Sequence, residues 1–600
     1  MVKNKKSDSY YLVTTDNKNS WDTSKKILFL GEWCCNYSKK NEIANLDYNI
    51  AEPFCISRKE KNESIDFVVE KTKYMLGYAR ETLNSYHGTS HELRYWNIVL
   101  GHWLRRYVTI LYNRYFTLQK ALKNYNVTET ANVSYRTYSL VMQNSSESVI
   151  NADNKEWNMV IYDMLLKIIN PTSILYSNTI SLNIKDIEFE RVKKKKGVKW
   201  FVKYLIHSNL KHFVRDSDSL IINTYLGRIN EAILKLKLFE APTFEMGNDG
   251  LPLPFSIDDK FRDELTTTLD SPVHFDDLLK MMFLKLLPTC FLESYDEYIR
   301  RVNQSGWPKH PKFIFTSNAF DTNEIFKLYA AMHSEVGVPY FAGQHGNAYC
   351  THREVINQPE LDSVDKFFSW GWGGGLKNIV PAFALSKHIP NKKIKRDKNG
   401  MLLLVENSLP PHYEPYDTTS EYGSYQEEQF KLIKSLHSDI RDHVLVRLFK
   451  RPIEPNWCEE LRWEDELPDI RLEKGVSPFM SLVKRSRIVI FSFDTTGILE
   501  LLANNFPLIC FWREGTSHVH DREKYYYELL LEVGVFHDNP ESAAQKVNEV
   551  WDDIDSWWGH EKVQDARKQF CERYVKISKK PVRELKQILL DQYHDHNTQG

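Results

Sequence analysis

An apolar, β-branched run over 487–493 ends in Ser492-Phe493-Asp494-Thr495-Thr496-Gly497 and passes directly into helical periodicity. A helix that starts at the carboxyl edge of a parallel sheet turns its free N-terminal amides outward, and such a place binds phosphate. Ser492, Thr495 and Thr496 would add hydroxyl donors there, Gly497 sits in the first turn, and Glu500 is placed to accept from ribose hydroxyls. Asp494 or Thr495 also suits the plainer task of capping the helix, and the two roles are compatible. Upstream, the strand over 444–448 ends in cations: Arg447, Lys450 and Arg451, followed by Pro452. Three cations at a strand end want an anion, and a turn at Pro452 would bring Lys450 and Arg451 onto one phosphate. A solvated loop is the alternative.

In the first half, Gly343-Gln344-His345-Gly346-Asn347 follows a strand. Glycines on both sides let the backbone approach a ligand, and a histidine near neutral pKa serves as acid, base or phosphate donor. His345 is therefore the leading catalytic residue, with Gln344 beside it and Asn347 as a sugar contact. Glu32, in Gly31-Glu32-Trp33-Cys34 at the end of the first α/β strand, is a second candidate base, with Trp33 next to it as a candidate acceptor or donor-sugar contact. His102 and Arg105, on an aromatic-rich helix, are candidates for a sugar or acceptor pocket, although a buried amphipathic helix explains Trp96, Trp103 and Tyr107 without a ligand. Glu406 and Asn407 close the first strand of the second half and are further cleft candidates. Asp216-Ser217-Asp218 has the spacing of a metal-holding DxD but closes no clear strand, so no metal ligand set is expected. The chain also lacks the Walker, zincin, nucleophile-elbow and strand-flanked GxGxxG motifs.

These residues need a scaffold of strand ends, and the pattern supplies one. Residues 1–26 are polar and read as a frayed terminus; from 27 the chain enters a buried strand. A mostly helical insertion is expected over about 63–240, including the basic run 193–196. Strand, helix and strand return over 313–343, and another strand at 366–370 leads into a glycine-rich turn at 371–375. The first α/β unit thus spans 27–386, and 387–400, basic and poor in apolar residues, reads as a linker. Over 401–552 strands alternate with helices, the rhythm of a parallel sheet covered on both faces, and helices over 553–600 are placed to reach back onto the first unit. The expected class is α/β, two doubly wound parallel-sheet domains facing a cleft, an architecture similar to GT-B.

Six hundred residues allow several domains. With 42% hydrophobic, 26% charged and 13% aromatic residues the chain is globular rather than disordered. A formal net charge of −1 gives no global field to recruit nucleic acid. The eight cysteines form no CxxC pair, which fits reduced thiols in a cytoplasm. No stretch reaches the length of an apolar membrane span.

Taken together, Phe29-Leu30-Gly31-Glu32-Trp33-Cys34, Tyr95-Trp96 with Gly101-His102-Trp103, Gly343-Gln344-His345-Gly346, Phe368-Ser369-Trp370-Gly371-Trp372 and Asp494-Thr495-Thr496-Gly497 resemble the surface-polysaccharide transferases of the LIC12162 type. The resemblance spans nearly the whole chain. It implies a role in bacterial O-antigen or capsule assembly, and a nonulosonic acid donor activated as its CMP ester. The second half is also similar to Kdo- and sialyl-type GT-B enzymes, in which a basic strand end and a Ser/Thr-rich loop hold CMP; Arg451-Pro452 stands where many of those carry His-Pro. The expected activity is a metal-independent glycosyl transfer to a glycan acceptor, free or lipid-linked, in the cytoplasm, with peripheral contact at the inner face of the cytoplasmic membrane as an option, and with no cofactor and no nucleic acid. A CDP-alditol phosphotransferase of teichoic-acid type and a non-catalytic carbohydrate- or nucleotide-binding scaffold are the alternatives.

Overall fold

The computed structural model describes residues 8–169, 173–182, 211–243, 256–266, 274–356, 358–373, 375–389, 394–407, 414–416, 418–449 and 457–599. The basic run 193–196 and the cations Lys450 and Arg451 with Pro452 lie outside these.

The strands form three sheets, every pairing in them parallel. The first contains β1 (Ser9–Val13), β2 (Ile27–Phe29), β3 (Tyr48–Ile50), β4 (Asn126–Ser134) and β5 (Leu175–Ser181), in the order β3-β2-β1-β4-β5. The second contains β6 (Leu220–Ile221), β7 (Ile314–Thr316), β8 (Tyr340–Gly343), β9 (Lys366–Ser369) and β10 (Ile379–Pro381), in the order β10-β9-β8-β7-β6. The third contains β11 (Met401–Val405), β12 (Val444–Arg447), β13 (Arg471–Glu473), β14 (Ser486–Phe491), β15 (Leu508–Phe511) and β16 (Phe536–His537), in the order β13-β12-β11-β14-β15-β16.

The α/β class with parallel sheets is as the sequence predicts, but the first half holds two sheets where one was expected. The first and third sheets reverse direction once, between β1 and β4 and between β11 and β14, which makes them doubly wound; the second runs one way. At such a reversal the flanking loops diverge and leave a crevice at the carboxyl ends of the strands. The frayed terminus also needs correction. From residue 8 the chain is ordered, and Tyr10, Tyr11, Leu12 and Val13 are each at most 2% exposed at the centre of the first sheet. Four apolar residues set among polar ones carry little signal alone, and it is pairing with β4, more than a hundred residues on, that makes them a strand.

The expected helical insertion is likewise broken by β4, β5 and β6. Its long helices are present: Arg58–His87 starts at a capping box between Ser57 and Glu60 and stops at Gly88, whose φ of 63° is left-handed. Leu93–Asn124 buries most of one face, including Trp96 and Trp103. In the second half β11, β12, β14, β15 and β16 fall where the pattern put them, and β13 is additional. The last helix, Pro581–Gln599, inserts Leu585 and Leu589 among Phe313, Phe315 and Phe341 of the second sheet. Among the described residues no helix is long and apolar enough to cross a membrane.

Candidate functional site

The carboxyl edge of the second sheet faces the loop that follows β14, and between them lies a cavity of about 940 Å³. The first half contributes Tyr225, Arg228 and His345 among others; the second contributes Asp494, Thr495, Thr496 and Glu500. Six of the residues selected from sequence thus meet in one cavity: His345, Asn347, Asp494, Thr495, Thr496 and Glu500. A second cavity of about 380 Å³ adjoins the β11/β14 reversal and takes in Asn407 and Ser492, with His352 and Asp494 lining both spaces.

The two halves are tied across this cleft by specific bonds. Asn347 donates its backbone N–H to Thr496 Oγ1 (3.0 Å) and its amide to Asp494 Oδ1 (2.6 Å). Ser386 donates to Glu500 (2.8 Å), and His520 N–H donates to the Thr351 carbonyl (2.7 Å). The backbone around the cavity is strained. Asn223, Tyr225 and Ala348, with φ of 53°, 65° and 80°, are three of the eight non-glycine residues in the left-handed region among the described residues, and all three line it. Such conformations cost about 1–3 kcal/mol each and gather where function fixes the geometry.

His345 is half-buried, and burial pushes its pKa down to about 4, against the pull of Asp321. The imidazole is neutral at pH 7 and able to take a proton. Its Nδ1 stands 3.0 Å from the Tyr349 hydroxyl, which donates to Glu360 Oε1 at 2.7 Å. One hydroxyl proton therefore lies between two acceptors. When Glu360 is ionised it accepts the hydrogen bond of that hydroxyl and the Tyr349 oxygen accepts from Nδ1–H, while the ring is also hydrogen-bonded to the Ser317 backbone. Burial pushes Glu360 up to about 7, so its ionisation falls near neutrality. Neither Tyr349 nor Glu360 was singled out from sequence; both are buried, and only their bond to a cavity residue distinguishes them from core.

Asp494 is built the opposite way. Its side chain is largely enclosed, yet Oδ2 has His352 Nε2 at 3.0 Å, His518 Nε2 at 3.3 Å and the Tyr527 hydroxyl at 2.8 Å, while Oδ1 accepts from Asn347. Burial would raise its pKa, but hydrogen bonds from His352 and His518 hold it well below the usual carboxylate range. Thr495 is the N-cap of the helix Thr496–Ala503 and makes no side-chain cap bond, so its hydroxyl is not spent on the helix. Gly497 is needed for packing, because a Cβ there would fall 2.8 Å from the Phe491 ring. Burial raises the pKa of Glu500.

Other expected site residues do not reach the cleft. Gln344 was expected to be catalytic, but its amide braces the loop: Nε2 donates to the Gly346 carbonyl (2.7 Å), and Oε1 accepts from Trp370 N–H (2.9 Å) and Trp372 Nε1–H (2.7 Å). Trp33 belongs to the core, donating to the Thr14 carbonyl and lying parallel to Tyr162, and Glu32 beside it lines neither cavity. His102 is buried behind His345, stacked on Phe320 with Nε2 3.3 Å from Glu360, and burial pushes it down to about 3. Arg105, on the same helix, lines neither cavity. Glu406 is 2% exposed, accepts from Trp463 Nε1–H, and is pushed by burial up to about 8, so it underlies the crevice rather than facing a sugar. Arg447 lies 3.6 Å from Glu473 and is also outside both cavities. Gln344, Trp33 and Glu406 stand at strand ends, but the local fold turns their side chains inward.

The cleft also gathers residues the sequence reading passed over. Arg228, Lys387 and His388 bring cationic or protonatable groups to the large cavity. A strand end followed by Asn223-Thr224-Tyr225, and a linker that is basic, were the available signals.

Among solved structures, a Listeria monocytogenes protein described as a UDP-N-acetylglucosamine 2-epimerase matches with a TM-score of 0.37 at 12% identity, covering 64% of this chain and 97% of its own. Spinosyn rhamnosyltransferase SpnG with spinosyn aglycone matches at a TM-score of 0.27 and 10% identity, covering 50% and 77%. The glycotransferase of kitacinnamycin matches at 0.30 and 11%, covering 51% and 84%. No curated protein matches. The family model for the LIC12162 family transferase matches residues 10–589, nearly the whole length and all of the cleft, and the chain belongs to that family of transferases.

Proposed function

We propose that this transferase is a GT-B-type glycosyltransferase that moves a nonulosonic acid, sialic-acid-like or Kdo, from a CMP-activated donor to a bacterial surface glycan. The observation that carries the reading is the cleft itself: a neutral, half-buried His345 on one wall and a helix N-terminus bearing Thr495 and Thr496 on the other. The donor phosphate sits against the helix N-terminus, where Arg228 and Lys387 add positive charge. The acceptor hydroxyl oxygen attacks the anomeric carbon, the bond from that carbon to the phosphate oxygen breaks, and the electron pair leaves with CMP. The acceptor proton passes to His345, whose ring Tyr349 and Glu360 orient. Positive groups aimed at the departing phosphate stabilise the charge that develops. Lys450 and Arg451 remain part of this reading as further phosphate contacts.

Thermal unfolding in the presence of CMP, CDP, UDP and GDP tests it, because a ligand that binds only the native state raises stability by mass action. CMP is expected to give the largest rise. A rise with UDP or GDP and none with CMP would overturn the donor class. Transfer of phosphorus into the product would replace glycosyl transfer by alditol-phosphate transfer.

A further inference from the structure

His352, Asp494 and His518 present one ligand atom each within 4.8 Å of one another. The three come from segments separated by 142 and 24 residues, so no local motif announces them. The backbone fixes their approach: His352 and Val519 form an antiparallel bridge, and His520 N–H is bonded to the Thr351 carbonyl at 2.7 Å. Both imidazoles aim Nε2 at the same oxygen, Asp494 Oδ2, at 3.0 and 3.3 Å.

As hydrogen bonds alone this arrangement is uneven. Among the described residues Oδ2 would take three donors, His352, His518 and Tyr527, while Oδ1 takes Asn347. A carboxylate oxygen has two lone pairs in plane, so the third donor is poorly served. A cation resolves the crowding. With metal–nitrogen and metal–oxygen bonds of about 2.0–2.2 Å, neighbouring ligand atoms lie roughly 3.0–3.5 Å apart, which matches both distances. The outer hydrogen bonds are those a ligating carboxylate ordinarily receives, from Tyr527 on Oδ2 and Asn347 on Oδ1. His352 and Asp494 line both cavities, so the remaining coordination positions open toward the cleft.

We propose that His352, Asp494 and His518 form a binding site for a divalent first-row transition ion, with open positions toward the inter-half cleft. Two imidazoles and one carboxylate favour zinc, manganese or iron over magnesium or calcium. The site is independent of the donor reading, although a cation there would face an anionic group bound in the cleft. It departs from the expectation, read from the sequence, of a chain without metal ligands.

The test uses the full chain, stripped with a chelator, dialysed and titrated with Zn²⁺ alone by calorimetry at pH 7.5. One equivalent is expected to bind with micromolar or tighter affinity, and His352→Gln and His518→Gln are each expected to weaken binding at least 100-fold. Co²⁺ added to the unsubstituted protein should give visible absorption bands of mixed nitrogen and oxygen ligation, a readout that needs no variant to fold. A stripped protein that takes up no zinc and shows no cobalt bands overturns the proposal, as does zinc affinity unchanged in both glutamine variants. Because no nucleotide is present, loss of the cation site leaves the CMP result standing, and the reverse holds too.

Discussion

His345 and Asp494 sit on opposite walls of one cleft, and burial acts on both, yet the outcomes are opposed. Around His345 burial goes largely uncompensated, so the ring stays neutral, with its proton placed by a chain through Tyr349 to Glu360. Around Asp494 burial is overridden by converging donors, and the carboxylate is fixed as an anion. Desolvation alone tunes a group toward proton transfer; desolvation with several donors fixes its charge and makes it a point of attachment. The first wall is built for exchange and the second for holding.

Substitution on each wall separates these roles. His345→Ala should lower turnover by about 10²–10⁴-fold, the scale of general-base loss, while CMP affinity measured by calorimetry stays near that of the unsubstituted protein. Wild-type turnover across pH would remove His345 from the chemistry. Asp494→Ala should instead act on the fold, leaving the donors of His352, His518, Tyr527 and Asn347 unmet. A loss of about 2–4 kcal/mol in denaturant unfolding is expected from stranded buried groups, and unchanged stability would show that Asp494 holds nothing together.

Tyr349→Phe cuts the link between His345 and Glu360 without removing either. Turnover should fall about tenfold, and the limb of the pH–rate profile near 7 should move, because the ionisation of Glu360 no longer reaches the His345 ring. A profile identical to wild type would make Tyr349 a packing residue only, and Glu360→Gln should reproduce the shift if the link is real.

The smallest effect concerns Glu406, which burial also disturbs but which lies outside both cavities. Its carboxyl is pushed from an ordinary 4.5 to about 8. Between those values the folded state keeps a proton that the unfolded chain has lost, so this group's contribution is full below about 4.5 and is lost as pH rises through about 8. Glu406→Gln should flatten that slope and be more stable than the parent at pH 8.5. An unchanged slope in urea unfolding across pH would show that Glu406 is not the responsible group.

The sequence by itself determined the strand ends that face the cleft. Apolar runs ending in small or hydroxyl-bearing residues marked β8 with His345 and β14 with Asp494, because a buried parallel strand and the turn after it are local patterns. It also determined the family, whose motifs are short and contiguous. Only the tertiary structure decided which of those strand-end side chains look outward. Gln344, Trp33, Glu406 and Arg447 have the right types in the right places, but their partners lie 2 to 57 residues away in sequence and draw them inward. It also made β1 a central strand and brought His352 and His518 to Asp494. Pairing between distant segments is set by the packing of three sheets, and no window of sequence contains it.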